Sequence, residues 1–421
     1  MADLTESRVI DTGSTSGRAV LPAPPAWWSY SSLKEVETCP LRYALSRADY
    51  PELWEQHGYP RLPNPAAIQG HVVHGALEII VKALVRKGCS STRSAEAVAV
   101  LRELGGYTKI TEGVLATQMA RFEGNPRLTS DQQDHLTRAL TDWVPDAREQ
   151  IQTCLNRLEL RPSAPAGSCT SSDPVKRYPA RTGEHPEKEL RAEALRLRGR
   201  VDLLSIDARG VHITDFKTGA EESAHHEQLR LYVLLWAADS VVNPDGLAVT
   251  SLVASYPNRE VAVPVPSAAE LAQLRDEVLS RIAAADAVIH SAPAAALGEH
   301  CSLCNVRGLC DTYWTTGAIR TADVADGEWC DLAGVVVREH GVKSFVLREA
   351  HTGSEVLVRT PAQSVSLSLG SHVRILGAKR TVDSDEKEAL IAALSSGSEV
   401  VELTVQSSPL VSGRTGQCDR K

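Results

Sequence analysis

The stretch GRVDLLSIDARGVHITDFKTGAEESAHHEQLRLY, residues 199–232, organises the rest of the chain. Two apolar runs flank residues 207–210, whose Asp and Gly are typical of a tight turn between antiparallel strands. Counted outward from the centre of that turn, Asp202 and Asp215 lie opposite each other in a symmetric hairpin. A bulge at Gly210 would shift this register by one residue, so the pairing depends on the turn.

Asp215 and Lys217 are two residues apart in the second strand, so their side chains share one face of the sheet. Opposed carboxylates repel each other, and a hard divalent cation such as Mg²⁺ relieves that repulsion because it prefers carboxylate oxygens. A solvated surface hairpin is the simpler interpretation of such charges. The apolar neighbours Ile213 and Phe216 favour a metal site over a solvated face.

Length and composition limit the classes of protein. The chain has 421 residues, which favours two folded units, and 43% of them are hydrophobic, enough for buried cores. A formal net charge of -8 argues against non-specific coating of polyanions, although a local basic groove is compatible with it. We identify no signal peptide and no bilayer-spanning apolar run. Nine cysteines are too few for a disulfide scaffold, so a cytoplasmic location is expected.

The composition changes along the chain and predicts its domains. Small, polar and proline-bearing segments are expected to be a disordered tail over 1–26 and a loose tail over 407–421. Residues 27–320 alternate helical and strand patterns, which predicts a mixed α/β sheet flanked by helices. Within them, 161–188 is rich in Pro, Ser and Gly and is expected to be a mobile insertion. Short strands over 326–406 predict a small all-β barrel, of the oligonucleotide-binding (OB) type or another small type.

Helices are predicted where apolar residues recur at helical spacing. The first begins at a capping box of Ser32 and Glu35 and is interrupted by Pro40. Further helices are expected over 68–87, 93–104, 110–122, 130–160 with a bend at Pro145, 221–238, 267–289 and, within the barrel, 384–395.

The cysteines are distributed unevenly. Three lie close together, Cys301, Cys304 and Cys310, while Cys39 stands alone near the N-terminus. Three clustered thiolates need a fourth ligand for a four-coordinate site, which Cys39 or His300 could supply. Zinc and an iron–sulfur cluster both accept four thiolates, and the spacing does not separate them. The other cysteines have no ligand-like spacing and are expected to be ordinary thiols.

Taken in order, the motifs over residues 27–315 resemble the iron–sulfur branch of the RecB-type nucleases in the PD-(D/E)XK superfamily. That branch includes AddB-type nuclease domains and some CRISPR-associated nucleases, and the resemblance implies a restriction-endonuclease-like sheet. Six motifs carry it: the helix start SYSSLKEVETCPLRY with its Cys-Pro, Gly70 with His74, Leu77 and Glu78, Gly199 with Asp202, DFKTG from Asp215, Gln228 with Tyr232, and the three clustered cysteines.

The resemblance implies roles for the residues near the hairpin. One or two Mg²⁺ or Mn²⁺ ions would be held by His74, Asp202, Asp215 and the backbone carbonyl of Phe216. The metal would activate a water, and Lys217 would orient it. These roles make the site a phosphodiester-hydrolysing centre.

Further roles concern substrate binding and a cluster. Gln228 and Tyr232 would position the nucleic-acid backbone, and Arg200, with Arg191, Arg196 and Arg198 nearby, could contact phosphates if it is not simply solvated. Family resemblance also favours a [4Fe-4S] cluster over zinc. Its role would be structural, clamping the ends of the nuclease domain through Cys39, Cys301, Cys304 and Cys310.

The expected function is a metal-dependent deoxyribonuclease, with exonuclease action favoured, on single-stranded DNA or DNA ends in repair, recombination or defence. We find no Gly-x4-Gly-Lys-[Ser/Thr] phosphate loop, so a helicase motor would come from another chain. The alternatives are a catalytically silent DNA-binding or scaffold protein with the same fold and cluster, and a zinc-stabilised binding module. Intact Asp202, Asp215 and Lys217 argue against a silent protein. An OB barrel could bind single-stranded DNA by stacking of bases on aromatic side chains. This barrel has few aromatic residues, so a protein partner is the alternative.

Overall fold

A computed structural model describes residues 9–11, 18–51, 53–161, 177–341, 343–360, 367–382, 390–395 and 397–403. The chain divides into two compact units: a mixed-sheet unit of residues 22–46 and 60–296, and a barrel unit of residues 1–21, 47–59 and 297–421. The division after residue 296 differs from the boundary at 320 that we expected. The segment with the three clustered cysteines therefore belongs to the barrel unit.

A five-stranded sheet forms the centre of the mixed-sheet unit. In spatial order its strands are β3 (Gly183–Ala192), β4 (Leu197–Asp207), β5 (Gly210–Phe216), β6 (Val249–Ser255) and β7 (Glu260–Val263). Neighbouring strands are antiparallel except β5 and β6, which are parallel. A parallel pair needs a crossover connection, and helix α8 (Ser223–Ala238) provides it.

Helices cover both faces of this sheet. On one face α8 shares an apolar core with α1 (Tyr30–Thr38), α2 (Pro40–Arg47) and α9 (Ala268–His290). On the other face Leu203 and Phe216 pack in a second core. The helices on that side are α3 (Pro65–Arg86), α4 (Ala95–Glu103), α5 (Gly106–Ala120), α6 (Ser130–Asp142) and α7 (Val144–Arg157). This architecture confirms the predicted mixed α/β sheet flanked by helices.

Local chemistry determines where α1 begins and ends. Ser29 is its N-cap, and the Ser29 and Ser32 side chains form the capping box, so the predicted box of Ser32 and Glu35 is wrong. The helix stops at Cys39, which is extended with φ of -160°, because a residue before proline disfavours the helical region. Pro40 then begins α2, which confirms its predicted role in interrupting the helix.

A second proline also separates two helices. The predicted bent helix over 130–160 is wrong, because α6 and α7 are separate helices that meet at Trp143. Pro145 lies in the first turn of α7, where its missing N–H would have no helical partner in any case.

The hairpin of β4 and β5 has the symmetric register. Paired residues run without a shift from the turn to Leu203 and Thr214 along the described hairpin. Asp202 and Asp215 therefore occupy the next opposed position, and the predicted register is confirmed. Gly210 allows this turn because its φ of +131° is a conformation that other residues rarely adopt.

The predicted bounds of the insertion, 161–188, extend too far towards the C-terminus. Residues 162–176 lie outside the described residues, whereas β3 begins at Gly183, so the assignment of 183–188 to an insertion is wrong. Pro186 misled the prediction because it suggested a loop. It is tolerated here because β3 is an edge strand, where one backbone N–H needs no ladder partner.

The barrel unit contains a closed barrel of five strands. They are β8 (Trp329–Glu339), β9 (Ser344–Glu349), β10 (Glu355–Arg359), β11 (His372–Thr381) and β12 (Leu390–Ala393). The pairing runs β8–β9–β10–β12–β11 and returns to β8, with only β10 and β12 parallel. This closed ring confirms the predicted OB-like barrel. A further strand, β13 (Glu399–Leu403), pairs with β11.

Two further expectations for the barrel unit differ from the structure. The helix predicted over 384–395 is wrong where it is described, because 390–393 form β12, and 383–389 lie outside the described residues. A short apolar run cannot be assigned by periodicity alone. The expected N-terminal tail contains two antiparallel strands, β1 (Val9–Asp11) and β2 (Arg18–Val20). The tail expected over 407–421 lies outside the described residues.

Helix α3 is long and apolar enough to cross a membrane by length and composition alone. Its apolar residues Leu77, Ile80 and Leu84 are buried in the core of the mixed-sheet unit. The apolar character of α3 is therefore explained by packing against the sheet.

Gly210→Ala is expected to destabilise the protein by about 1–3 kcal/mol, because alanine is strained at this φ. An added Cβ would also lie 2.5 Å from Cγ2 of Thr250. Urea unfolding followed by circular dichroism measures the change. Gly113→Ala, at an open position of α5, is the control and should be neutral or stabilising. Equal stability of Gly210→Ala and wild type would contradict the strain argument.

Candidate active site

The carboxyl end of β5 brings together several of the predicted site residues. Asp215 and Lys217 form an ion pair there. Nζ of Lys217 donates a hydrogen bond of 2.8 Å to the side-chain oxygen of Gln228 on α8. The amide nitrogen of Gln228 in turn donates to the hydroxyl of Tyr232 at 2.7 Å. A chain of polar contacts thus links the acidic strand to two side chains one turn apart on α8.

The second carboxylate joins the hairpin to α3. Oδ2 of Asp202 accepts a hydrogen bond of 2.6 Å from the backbone N–H of Phe216 and lies 3.5 Å from Nδ1 of His74. His74 and Phe216 therefore lie beside Asp202, as the family resemblance implies.

Burial and the charge of Asp215 affect the ionisation of Asp202. Asp215 is only 2% exposed. Burial, and then the charges of Asp215 and Glu187, raise the pKa of Asp202 well above its ordinary value. Oδ2 of Asp215 accepts no hydrogen bond from any described residue, although Lys217 pairs with it. The protein's own groups therefore compensate this pair of carboxylates only in part.

Burial also keeps two neighbouring groups neutral. It lowers the pKa of His74, while the charge of Asp215 opposes this shift. The imidazole is therefore uncharged near neutral pH, which is the form that binds metals. Burial, followed by the charges of Asp215 and Asp202, raises the pKa of Tyr232 well above its usual range. Tyr232 accordingly remains a neutral phenol beside Gln228.

Glu187 is a site residue that our sequence reading missed. It lies on β3 opposite Asp202, at a point where the β3–β4 ladder skips one pair. Its backbone is left-handed, with φ of 54°, which is uncommon for a residue with a side chain. Burial, and then the charge of Glu78, raise its pKa. The available signal is Pro186, because a proline inside a strand marks an irregular edge.

Arg200 is a predicted phosphate contact that stays accessible. Its side chain is 63% exposed, and its Nη1 lies 3.4 Å from Oε2 of Glu187. Arg196, by contrast, donates to the carboxylate of Asp286 at 2.6 Å. Arg196 is therefore engaged in holding the unit together, while the guanidinium of Arg200 is exposed to solvent beside Glu187.

The four cysteines predicted as cluster ligands are divided between the two units. Cys39, in the mixed-sheet unit, is buried, and its Sγ accepts hydrogen bonds from the N–H groups of Arg42 and Ala296 at 3.4 and 3.5 Å. Short turns of the barrel unit carry Cys301, Cys304 and Cys310. The described part of the chain contains no ready group of three or more His, Cys, Asp or Glu side chains for a metal ion. None of the described cysteines forms a disulfide.

Comparison with known families is consistent with this geometry. The model of the PD-(D/E)XK nuclease superfamily matches residues 27–311. The chain belongs to the PD-(D/E)XK nuclease superfamily. Membership indicates nuclease activity in general, and nucleases of this superfamily typically use Mg²⁺ or Mn²⁺. The match is to the superfamily as a whole and does not extend to its iron–sulfur branch. No curated protein has a significant match to this chain.

Two solved structures are similar to part of the chain. The OB domain (residues 67–166) of MM0293 from Methanosarcina mazei is 16% identical, with 21% of this chain and 84% of that chain covered and a TM-score of 0.18. The crystal structure of SSO0001 is 19% identical, with 30% and 59% covered and a TM-score of 0.20. Both TM-scores are low, so the strand pairings alone establish the barrel.

Asp202→Asn is expected to raise the midpoint of thermal unfolding (Tm) of the metal-free protein at neutral pH. Folding raises the pKa of Asp202, so the native state holds a proton that the unfolded chain releases. Wild-type stability therefore falls as the pH rises from the unfolded pKa of about 4 towards the folded pKa. Asparagine removes this loss.

Melting in EDTA across this pH range measures the effect, and the Tm advantage of Asp202→Asn should grow with pH. Asp245→Asn, in an exposed turn, is the matched control and should follow the wild type. A Tm difference that does not change with pH would contradict the raised pKa.

Proposed function

We propose that this protein is a metal-dependent deoxyribonuclease that acts on single-stranded DNA or DNA ends, with exonuclease rather than endonuclease action. The observation that carries the proposal is the buried Asp215 with Lys217 ion-paired beside it and Asp202, whose side chain is 13% exposed, opposite it. Superfamily membership supports a nuclease in general. Such an enzyme would serve DNA repair, recombination or defence in the cytoplasm, with any helicase supplied by a separate chain.

The site residues suit a hard divalent cation such as Mg²⁺ or Mn²⁺. Among the described residues Lys217 is ion-paired with Asp215 alone, and the pKa of Asp202 is raised, so added positive charge would stabilise the pair of carboxylates. The ligands would be His74, Asp202, Asp215 and the backbone carbonyl of Phe216. When bound, the cation polarises the phosphate and lowers the pKa of a bound water.

Lys217 is the positive charge that the chain itself brings to the reaction. Its ammonium group contacts both the carboxylate of Asp215 and the side-chain oxygen of Gln228, so two neighbours determine its position. From there it would orient the attacking water and offset charge that builds on the phosphoryl oxygens. Tyr232 holds Gln228 in place, so this pair positions Lys217 as well as the nucleic-acid backbone.

DNA would also be held outside the reacting centre. The exposed guanidinium of Arg200 suits a contact with the phosphate backbone. The OB barrel is a second candidate for binding single-stranded DNA, and a protein partner is the alternative for the barrel.

We further propose a [4Fe-4S] cluster with a structural role, bound by Cys39, Cys301, Cys304 and Cys310. The support is the close spacing of the last three residues, together with the preference of such clusters for four thiolates. Zinc is the alternative occupant of the same thiolates.

The purified protein is expected to degrade DNA only with Mg²⁺ or Mn²⁺, and Asp215→Ala and Lys217→Ala should each slow cleavage by about a hundredfold or more. Labelled oligonucleotides with free and blocked ends measure the rate and separate exonuclease from endonuclease action. Asp245→Ala and Lys87→Ala change exposed residues of the same types and are the controls. If the wild type does not cleave, the function is that of a DNA-binding scaffold, and if Asp215→Ala cleaves equally well, the proposed active site is refuted.

Protein purified without oxygen is expected to contain iron and acid-labile sulfide. Cys301→Ser should lower the iron content because it removes a ligand, while Cys89→Ser, at a buried thiol of the mixed-sheet unit, should retain it. Elemental analysis of iron and zinc measures both. Zinc without iron would refute the cluster and leave the nuclease proposal standing.

A further inference from the structure

A second polar pair lies beside Lys217, outside the motifs recognised in the sequence. Nδ1 of His225 lies 2.9 Å from the hydroxyl of Tyr256, and the centroids of the two rings are 5.8 Å apart. Tyr256 follows the last residue of β6, Ser255, whose carbonyl accepts a hydrogen bond of 2.8 Å from the N–H of Lys217. The pair therefore adjoins the carboxyl end of β5.

His225 shares a face of α8 with the residues that hold Lys217. His225, Gln228 and Tyr232 follow the i, i+3, i+7 spacing of one helix face. Gln228 contacts Lys217, and His225 lies on the same side of the helix, about one turn nearer to its start. The charges of Lys217 and Asp215 both act on His225, in agreement with this placement.

The hydrogen bond to Tyr256 favours one tautomer of His225. Burial raises the pKa of Tyr256, so its phenol keeps its proton and can donate a hydrogen bond to Nδ1 of His225. Burial, and then the positive charge of Lys217, lower the pKa of His225, so the ring is neutral near neutral pH. A neutral imidazole that accepts at Nδ1 carries its proton on Nε2.

The other end of the ring is available to a ligand. Tyr256 is 2% exposed, whereas His225 is only partly buried. Nε2 of His225 has no hydrogen-bond partner in the part of the chain that the structure describes. The ring is therefore anchored at Nδ1 and presents one N–H donor beside Lys217, which suits an anionic oxygen such as that of a phosphate.

We propose that Nε2 of His225 donates a hydrogen bond to a phosphate that neighbours the scissile phosphate on the DNA strand, and that Tyr256 is the positioning residue that sets its tautomer. The proposal rests on the nuclease function proposed above. The contact is made equally in the ground state and the transition state, so it strengthens substrate binding without accelerating the chemical step.

Steady-state cleavage by the full-length protein tests the contact. His225→Ala should raise KM about tenfold and leave kcat within about twofold, as expected for a lost hydrogen bond to a charged group. His225→Gln, whose amide can replace the Nε2 donor, should restore most of the affinity. Tyr256→Phe should raise KM by a smaller factor because only the tautomer is lost. His226→Ala, next to it on α8, is the control and should match the wild type.

Oligonucleotides with a single neutral methylphosphonate identify the phosphate. In Ca²⁺, anisotropy should show that wild-type binding weakens about tenfold at one position beside the scissile bond, and that His225→Ala loses this sensitivity there alone. Equal sensitivity of the wild type and His225→Ala at every position, or lower kcat with unchanged KM, would overturn the proposal. If His225→Ala fails to fold, His225→Gln and Tyr256→Phe decide it.

The same measurements separate this contact from the nuclease function. Wild-type binding without cleavage would contradict the nuclease function, while the methylphosphonate comparison would still decide the role of His225. A wild-type protein that binds no DNA would overturn both proposals.

Discussion

Repulsion between two carboxylates in a buried position is the constraint around which the rest of the site is built. Asp202 and Asp215 are opposed because the hairpin is in register, and their repulsion is costly because Asp215 is buried and Asp202 is only 13% exposed. The chain compensates each one from a different direction: Lys217 pairs with Asp215, and the N–H of Phe216 donates to Asp202. The charge that remains is the kind that a divalent cation neutralises. Uncompensated charge of this kind lowers the stability of the fold, and such destabilised groups are common in active sites.

Local geometry explains why so much of the site could be read from the sequence. Asp202, Asp215 and Lys217 lie in one hairpin, where a two-residue period and a short turn determine which side chains meet. Gln228 and Tyr232 lie one helical turn apart, so their shared face also follows from spacing. His74 is different. It reaches Asp202 from a helix far away in sequence, and only the family resemblance, not any periodicity, pointed to it.

Features that depend on tertiary packing could not be read in this way. Glu187 escaped notice because Gly183 and Pro186 make an edge strand look like a loop, although the β3–β4 ladder brings it opposite Asp202. The strand β12 was mistaken for a helix because its short apolar run has no diagnostic period, and its pairing with β10 and β11 decides its conformation. The cysteine segment packs with the barrel unit, although the family match extends to residue 311 and includes it, because motif order follows the family and packing does not.

The path of the chain explains why the site residues and the His225–Tyr256 pair occupy the same end of the sheet. Because β5 and β6 are parallel, the connection from β5 must leave at its carboxyl end, return beside the sheet as α8, and enter β6 from the other end. The first turns of α8 therefore lie near the end of β5, where Asp215 and Lys217 lie on either side of Phe216. The end of β6 returns Tyr256 to that same edge, as expected for ligand sites outside the carboxyl ends of parallel strands. One crossover thus supplies Gln228 and Tyr232 to Lys217, while burying Leu229, Leu231 and Leu235 in the core that holds the helix in place.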